Sequence, residues 1–179
     1  MEDSVFHRIY DDYHQDVFRF LIYMTKDRSL SEDLMHEVYV RVLKSYGGFE
    51  GKSSEKTWLF SIARNVAIDH FRKTAVRRGR IADHYDWDSA EPAAAGPTPE
   101  EETVRGDELA RLHKMLDRCT GDQRLVIISR YLQELSIAET AEVLGWTEAK
   151  VKTTQHRAVK ALRSLLEAAD GKEAADHGQ

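Results

Sequence analysis

The sequence predicts an all-α protein of two small helical domains joined by an extended linker. Apolar residues recur at three- and four-residue steps in both halves of the chain, and no segment alternates as a strand would. All 3 prolines fall in one acidic stretch between the halves. The predicted boundaries are 1–80 for the first domain, 81–107 for the linker, 108–168 for the second domain and 169–179 for a flexible tail.

Composition argues against several classes of protein. Of 179 residues, 41% are apolar, which is enough for two compact cores. The single cysteine, Cys119, cannot form an internal disulfide, and the histidines show no metal-binding spacing, so we expect no metal and no cofactor. The acidic start Met1-Glu2-Asp3 and the lack of an 18-residue apolar run predict a soluble, cytoplasmic chain without membrane insertion.

Negative charge is concentrated in the middle of the chain. The formal net charge is -5, yet residues 82–108 alone carry nine carboxylates and one arginine. A segment of this composition cannot bury enough apolar surface to fold, so it predicts an extended linker. The flanking parts are close to neutral with their basic residues bunched together, a distribution compatible with nucleic-acid binding.

Two helices are predicted before residue 46. The first runs from about Ser4 to Thr25. The second is expected to be capped by Ser31, with acidic residues in its first turn. Its predicted apolar stripe consists of Leu34, Val38, Val42 and Leu43, and its polar side of Asp33, His36, Glu37 and Arg41.

A glycine-rich loop with Phe49 inside it leads to a third helix, capped by Ser53 or Ser54. Trp58 falls on the apolar arc of this helix, where core packing is favoured over base stacking. The opposite arc carries Ser61, Arg64, Asn65, Ile68 and Arg72, with Ile68 as an exposed aliphatic residue. The helix then runs into the basic cluster Arg72, Lys73, Arg77, Arg78 and Arg80. Such a cluster binds phosphates or forms a solvated helix end.

The second domain ends in a helix-turn-helix pattern. A helix that ends near Thr120-Gly121 and a short helix from Leu125 to Leu132 come first. Ser136 and Glu139 form a capping box, Gly145 supplies the turn, and Thr147 caps a long final helix. The outer face of that helix carries Lys152, Thr153, His156, Arg157, Lys160 and Arg163. This pattern is typical of a helix that lies in the DNA major groove. The tail from Glu167 looks frayed.

Three stretches together resemble the bacterial RNA polymerase sigma factors of the extracytoplasmic-function (ECF) group of the sigma-70 family. They are SEDLMHEVYVRVL at 31–43, TWLFSIARNVAIDHFRK at 57–73 and LSIAETAEVLGWTEAKVKTTQHRAVKAL at 135–162. The resemblance implies sigma domains 2 and 4, binding to core RNA polymerase and promoter DNA, and no catalysis. It also implies contacts with the beta-prime clamp helices and the beta flap.

The resemblance assigns roles to side chains of the first domain. It places Asp33, His36, Glu37 and Arg41 against the polymerase, with His36 where glutamine is usual in the family. It assigns minus-ten DNA, opened by extruding a base, to Phe49, Lys52, Ser53, Arg64, Asn65, Arg72 and Lys73. An asparagine amide both donates to and accepts from a base edge. Phe49 is either a stacking aromatic or a simple loop anchor.

For the second domain, the resemblance assigns the minus-35 element to Lys152, Thr153, His156, Arg157 and Lys160. The sequence departs from the family at Glu134, where glycine is common, and around Cys119-Thr120-Gly121, where proline is usual. It further implies an anti-sigma partner, which could hold the chain at the membrane, and a linker that enters the polymerase channel as a polyanion mimic or serves as a solubilising tether.

Two other functions compete with that of a sigma factor. One is a stand-alone helix-turn-helix regulator with an N-terminal dimerisation or sensor domain. The other is an enzyme, for which no catalytic set is present.

Overall fold

The computed structural model describes residues 2–79 and 106–176, with side chains from 4 to 79 and from 110 to 172. The described part is helical: α1 is Glu2–Thr25, α2 is Arg28–Ser45, α3 is Glu55–Arg77, α4 is Gly106–Asp117, α5 is Gly121–Ile127, α6 is Ile137–Leu144 and α7 is Glu148–Asp176. A 3-10 turn, Tyr46–Gly48, follows α2, and a π-turn, Ile128–Leu132, follows α5. The all-α prediction is confirmed. Residues 81–105, which make up most of the predicted linker, lie outside the described residues, and its last two positions, 106 and 107, already belong to α4.

The N-terminal unit is a bundle of α1, α2 and α3 around one apolar core. Its centre is an edge-to-face pair of Phe20 and Phe60, whose ring centroids are 5.3 Å apart. An edge-to-face pair stabilises the bundle beyond the burial of its area, because the ring quadrupoles attract each other. The other fully buried side chains of this core include Ile9, Val17, Leu21, Val38, Val42, Leu59, Ala63 and Ala67.

The predicted start of α2 is wrong. Asp27, not Ser31, caps the helix, and its carboxylate accepts a hydrogen bond of 3.0 Å from the Leu30 amide. Ser31 is buried inside the first turn, where its hydroxyl lies 2.7 Å from that of Thr25 and donates to the Asp27 carbonyl. Aspartate and serine are equally good caps, and the packing against Thr25 selects the earlier one.

Two predicted exposures are also wrong. Leu43, predicted on the apolar stripe of α2, is 56% exposed, because its neighbour Val42 takes the inward position. Ile68, predicted as an exposed aliphatic, is only 4% exposed. Helix α3 contacts α1, α2 and α6, so its buried surface is wider than that of a helix packed on one side.

The C-terminal unit is built from short helices with well-formed ends. Thr120 and Gln123 form a capping box at α5, and Ser136 and Glu139 form a second one at α6, as predicted for the latter. Gly145 ends α6 in the left-handed conformation at φ 68°, and the Thr147 hydroxyl accepts from the Lys150 amide at 3.1 Å. The helix-turn-helix is therefore α6, Gly145 and α7. Helix α7 continues to Asp176, through the segment in which the sequence predicts a frayed tail.

The two units pack against each other. The Lys56 ammonium donates to the Gln133 carbonyl at 2.7 Å, and the Gln133 amide donates to the Asp16 carbonyl at 3.3 Å. Tyr23 stacks on His113 with centroids 4.8 Å apart, and Lys26 forms an ion pair with Asp117. The N-terminal part of α3 thus lies between its own bundle and α6 of the C-terminal unit.

Candidate nucleic-acid interface

The polar side of α2 presents a patch of ionisable side chains, which we call the docking patch: Asp33, His36, Glu37 and Arg41. Asp33 and His36 are exposed, and the Glu37 side chain is about half-exposed. Arg41 is engaged within the chain: it donates to the Glu37 carboxylate at 2.6 Å and to Asp69 of α3 at 3.2 Å. The patch therefore offers an imidazole and two carboxylates outward, while Arg41 holds Glu37 and ties α2 to α3.

An apolar groove adjoins the docking patch between α1 and α2. It has a volume of about 470 Å³, and its lining includes Phe6, Tyr10, Met35, Tyr39 and Leu43, with His36 at its edge. The Tyr39 hydroxyl is buried and finds no hydrogen-bond partner in the part of the chain that the structure describes. Burial raises the pKa of this phenol, so it stays protonated and can donate.

Sequence reasoning missed the groove, although two signals point to it. Phe6 and Tyr10 are one turn apart on α1, and Leu43 directly follows the inward-facing Val42. Neither signal alone distinguishes a groove from the core of a bundle. Exposed Leu43 and half-buried Met35 instead leave apolar surface beside charged groups, an arrangement that is common at protein–protein interfaces.

The loop before α3 is anchored through its aromatic residue. The Phe49 ring lies 5.0 Å from that of Trp58 and 6.1 Å from that of Tyr46, and Tyr46 contacts Trp58 edge-on at 5.9 Å. Both Phe49 and Trp58 are half-buried. The structure thus favours the anchoring role for Phe49 over a free stacking platform. Lys52 is exposed and paired with Glu50, and Ser53 is half-buried.

The outer side of α3 brings together the remaining predicted DNA contacts. Asn65 is exposed and accepts a hydrogen bond of 3.2 Å from the Arg64 guanidinium. Burial, together with the nearby Arg72, lowers the pKa of Arg64, and its Nε finds no acceptor among the described residues. Arg72 and Lys73 are exposed two turns further on. Along α3, this outer side therefore presents the Asn65 amide first and the cationic side chains of Arg72 and Lys73 further on.

The outward side of α7 carries the five predicted minus-35 residues, which we call the recognition face: Lys152, Thr153, His156, Arg157 and Lys160. All five are exposed, whereas Val151 and Ala158 on the opposite side are fully buried. Lys150 is not part of the face, because its ammonium lies 3.9 Å from the centre of the Trp146 ring and 3.4 Å from Asp122. The face is thus one continuous strip on a single helix.

The described residues include neither a metal-binding cluster nor a membrane-spanning helix. No group of three or more histidine, cysteine, aspartate or glutamate side chains is arranged to hold a metal ion there. No helix in 2–79 or 106–176 combines the length and apolarity needed to cross a membrane.

Both helical units match known families. A model for Sigma-70 region 2 matches residues 9–77, and one for Sigma-70, region 4, matches residues 109–162. The chain belongs to the sigma-70 family of RNA polymerase sigma factors, which are transcription initiation factors. The region 2 match covers the segments 31–43 and 57–73, which a stand-alone helix-turn-helix regulator leaves unexplained.

Two similar relatives are named as ECF sigma factors. It is 52% identical over 165 residues to the ECF RNA polymerase sigma factor SigX of Bacillus subtilis, covering 92% of this chain and 85% of the relative. It is 34% identical to the ECF sigma factor BldN of Streptomyces coelicolor, over 92% of this chain and 61% of that one. Its fold is similar to that of the Bartonella quintana sigma factor RpoE solved with the anti-sigma factor NepR, at a TM-score of 0.71, 23% identity and coverage of 92% and 98%.

Proposed function

We propose that the chain directs core RNA polymerase to promoters by docking through α2 and binding DNA at two separate surfaces. The observation that carries this proposal is the pair of outward surfaces on α3 and α7, each within a matched sigma region. Residues 1–80 would serve polymerase docking and minus-ten opening, and residues 108–168 minus-35 binding. Residues 81–107 would link the two, and 169–179 would form a tail. In this role the chain performs no chemistry of its own.

The docking patch and the apolar groove would together bind the polymerase. Asp33, His36 and Glu37 offer hydrogen-bonding and charged groups, and Arg41 orients Glu37. The groove would bury an apolar side chain of the partner and give the Tyr39 hydroxyl an acceptor. The clamp helices of beta-prime are the family's partner for this surface, and the beta flap is its partner for the second domain.

The minus-ten loop, defined as residues 49–54, would capture an extruded base together with Asn65. The exposed Asn65 amide can read a base edge, and Lys52 and Ser53 lie in the loop that precedes the same helix. Arg64, Arg72 and Lys73 would bind phosphates of the separating strands, adding affinity more than sequence choice. Phe49 would act mainly by fixing the loop on Trp58.

The recognition face of α7 would enter the major groove at the minus-35 element. Lys152 and Arg157 would make charge-assisted bonds to bases or phosphates, flanked by Thr153, His156 and Lys160. The buried Val151 and Ala158 hold the opposite side of the helix against the unit's core.

Three further parts of the proposal rest on composition and on relatives. The acidic linker would enter the polymerase channel and mimic a polyanion, in which case substituting Glu100, Glu101 and Glu102 by alanine alters abortive-product ratios. An anti-sigma protein would cover the free factor, as NepR binds RpoE in the solved complex. The chain would work in the bacterial cytoplasm, held at the membrane only through such a partner.

The test is a run-off transcription assay with purified core polymerase over a promoter library. The chain should enable initiation at a defined pair of promoter elements. Asn65→Ala should weaken selection at the downstream element alone, and Arg157→Ala at the upstream element alone. Arg19→Ala is the matched control, because Arg19 is an exposed arginine of α1 that pairs with Asp16 and belongs to neither surface. A chain that neither binds core polymerase nor initiates at any promoter would overturn the proposal, and duplex binding without polymerase would favour the stand-alone regulator.

A further inference from the structure

Arg8, Tyr46 and Glu55 form a network at the base of the minus-ten loop that neither the sequence motifs nor the resemblance indicated. Arg8 on α1 donates two hydrogen bonds to the Glu55 carboxylate, at 2.8 Å to Oε2 and 2.7 Å to Oε1. The Tyr46 hydroxyl donates to the same Oε1 at 3.2 Å. Arg8 lies one residue before the segment that matches Sigma-70 region 2, so it is not part of that match.

Glu55 is placed where this network can control the loop. It is the first residue of α3 and directly follows the loop's last residue, Ser54. The Ser54 hydroxyl caps the helix by accepting from the Thr57 amide at 3.1 Å. A bidentate arginine–carboxylate pair fixes the direction as well as the distance of its two groups. The end of the loop is therefore held both to α3 and to α1.

Tyr46 connects this anchor to the other end of the loop. Its carbonyl accepts from the Phe49 amide at 2.9 Å, and its ring contacts those of Phe49 and Trp58. The Tyr46 side chain thus contacts Phe49, the first residue of the loop, through its ring. It also contacts Glu55, the residue after the loop, through its hydroxyl. Between these two anchors lies Gly51, in the left-handed conformation at φ 67°, with open space around it. The ends are fixed while the middle remains accessible.

We propose that Arg8, Tyr46 and Glu55 are positioning residues that hold the two ends of the minus-ten loop in register with Asn65. The proposal rests on the function proposed above, since it assigns a base-capturing role to this loop. Without the network, Lys52 and Ser53 would sample many positions relative to Asn65. Capture of an extruded base then carries a larger ordering cost, and discrimination between bases is lost.

The experiment measures base selectivity of the complete complex. The full chain is assembled with core polymerase, and its affinity is measured for single-stranded oligonucleotides carrying the downstream element of the promoter that the wild-type chain selects in the run-off library. Each position of the element is substituted in turn. Core affinity, binding of the upstream duplex element and thermal unfolding are measured on the same preparations.

Arg8→Ala should lower the selectivity ratio at the extruded base by about tenfold. Core affinity, upstream binding and the unfolding temperature should stay near the wild-type values, because the Arg8 side chain is about half-exposed and lies outside the docking patch and the recognition face. Tyr46→Phe keeps the ring and removes the hydroxyl, so its loss should be smaller, about threefold. The reversed pair Arg8→Glu with Glu55→Arg should recover part of the selectivity. Arg19→Ala, whose exposed pair with Asp16 spans 3.8 Å, is the control and should change nothing.

Two results would overturn the inference. In one, Arg8→Ala keeps the wild-type selectivity ratio. In the other, selectivity falls only in step with core affinity and unfolding temperature, which would make the network a general support of the bundle. A wild-type complex that shows no base preference at any position would instead reject the proposed function of the loop itself.

Discussion

The two proposed DNA surfaces are built in different ways. The recognition face is a strip on the single helix α7, and all five of its side chains are exposed. The minus-ten surface combines a loop, held by an arginine from α1, with the outer side of α3, and several of its side chains already have partners within the chain. Arg64 is half-buried and bonded to Asn65, and Phe49 packs on Trp58. One surface is preformed by local helix geometry, whereas the other depends on contacts between residues distant in sequence.

This difference predicts whether the effects of substitutions on each surface add independently or depend on one another. A substitution on the recognition face removes one contact and leaves its neighbours in place, so effects on α7 should be local and close to additive. Residues of the minus-ten surface share partners, so their substitutions should couple. The separation between Arg8 and Glu55, 47 positions in sequence, is the clearest example of such distant dependence.

The largest expected effect is the removal of two cations from the recognition face. Lys152→Ala combined with Arg157→Ala should weaken binding of the upstream duplex element by about 100-fold, since each contact to a base or phosphate contributes about 1–3 kcal/mol. The slope of log affinity against log salt should also become shallower. The measurement is fluorescence anisotropy of the complete complex across a salt series.

Lys172→Ala is the matched control for this pair, because Lys172 is an exposed cation near the end of the same helix. It should leave affinity nearly unchanged. Equal losses of duplex affinity in the control and the double variant would mean that α7 binds DNA through its total charge. The recognition face would then not be a set of separate local contacts.

The next effect concerns the two residues with positive φ that flank α6. Gly145 at φ 68° has open space where a Cβ would stand, so Gly145→Ala meets no clash and its cost comes from the backbone alone, about 1–2 kcal/mol. Glu134 holds φ 57° with a side chain, which explains why glycine is common there in the family. Glu134→Gly should stabilise the C-terminal unit by up to about 1 kcal/mol, after the entropy cost of glycine is subtracted.

Urea unfolding of the full chain checks both changes. Gly47→Ala is the control, since Gly47 also has open space but no positive φ. Upstream duplex binding should follow the stability of the C-terminal unit in these variants. If Glu134→Gly destabilises the chain, the Glu134 side chain contributes more to the turn than its backbone strain costs.

Local signals explain which parts of the fold could be predicted from the sequence. The caps at Ser136 and Thr147 were predictable because a capping side chain bonds an amide three residues away. The same rule left Ser53 and Ser54 as alternatives for α3, and the structure selects Ser54. The left-handed Gly145 was predictable because glycine adopts a positive φ at the end of a helix without a Cβ clash. The exposure of the recognition face follows from the 3.6-residue period of α7 alone.

Long-range packing explains the failures. Asp27 and Ser31 are both good caps, and only the contact of Ser31 with Thr25 decides between them. Ile68 is buried because α3 has neighbours on more than one side, which no single-helix pattern reveals. The bond from Arg8 to Glu55 joins separate helices, so no motif spacing reports it. The groove around Tyr39 also forms between two helices, and its sequence signals do not distinguish it from the core.

The smallest expected effect is the acid sensitivity of the positioning network. The hydrogen bonds from Arg8 hold the pKa of the Glu55 carboxyl below its ordinary value of 4.5. A carboxyl with a lowered folded pKa contributes stability that is complete above its unfolded value and is lost as the pH falls through the folded value. The loss should therefore begin near pH 4.5 and continue below it, and Glu55→Gln should remove this part of the pH dependence.

Urea unfolding between about pH 3 and about pH 6 tests this expectation. The stability difference between wild type and Glu55→Gln should be constant at the upper end and shrink on acidification, and Arg8→Ala should flatten the same interval because it removes the cause of the shift. Glu32→Gln is the control: its carboxylate is exposed and accepts from the Arg28 Nε at 3.1 Å. The pair of Glu32 and Arg28 is not part of the network, so this control shows how the profile changes when an exposed carboxylate elsewhere is removed. Identical profiles of stability against pH for Glu32→Gln and Glu55→Gln would mean that the network behaves like an ordinary helix surface. The structural contrast between the minus-ten surface and α7 would then depend only on the packing of Phe49 on Trp58.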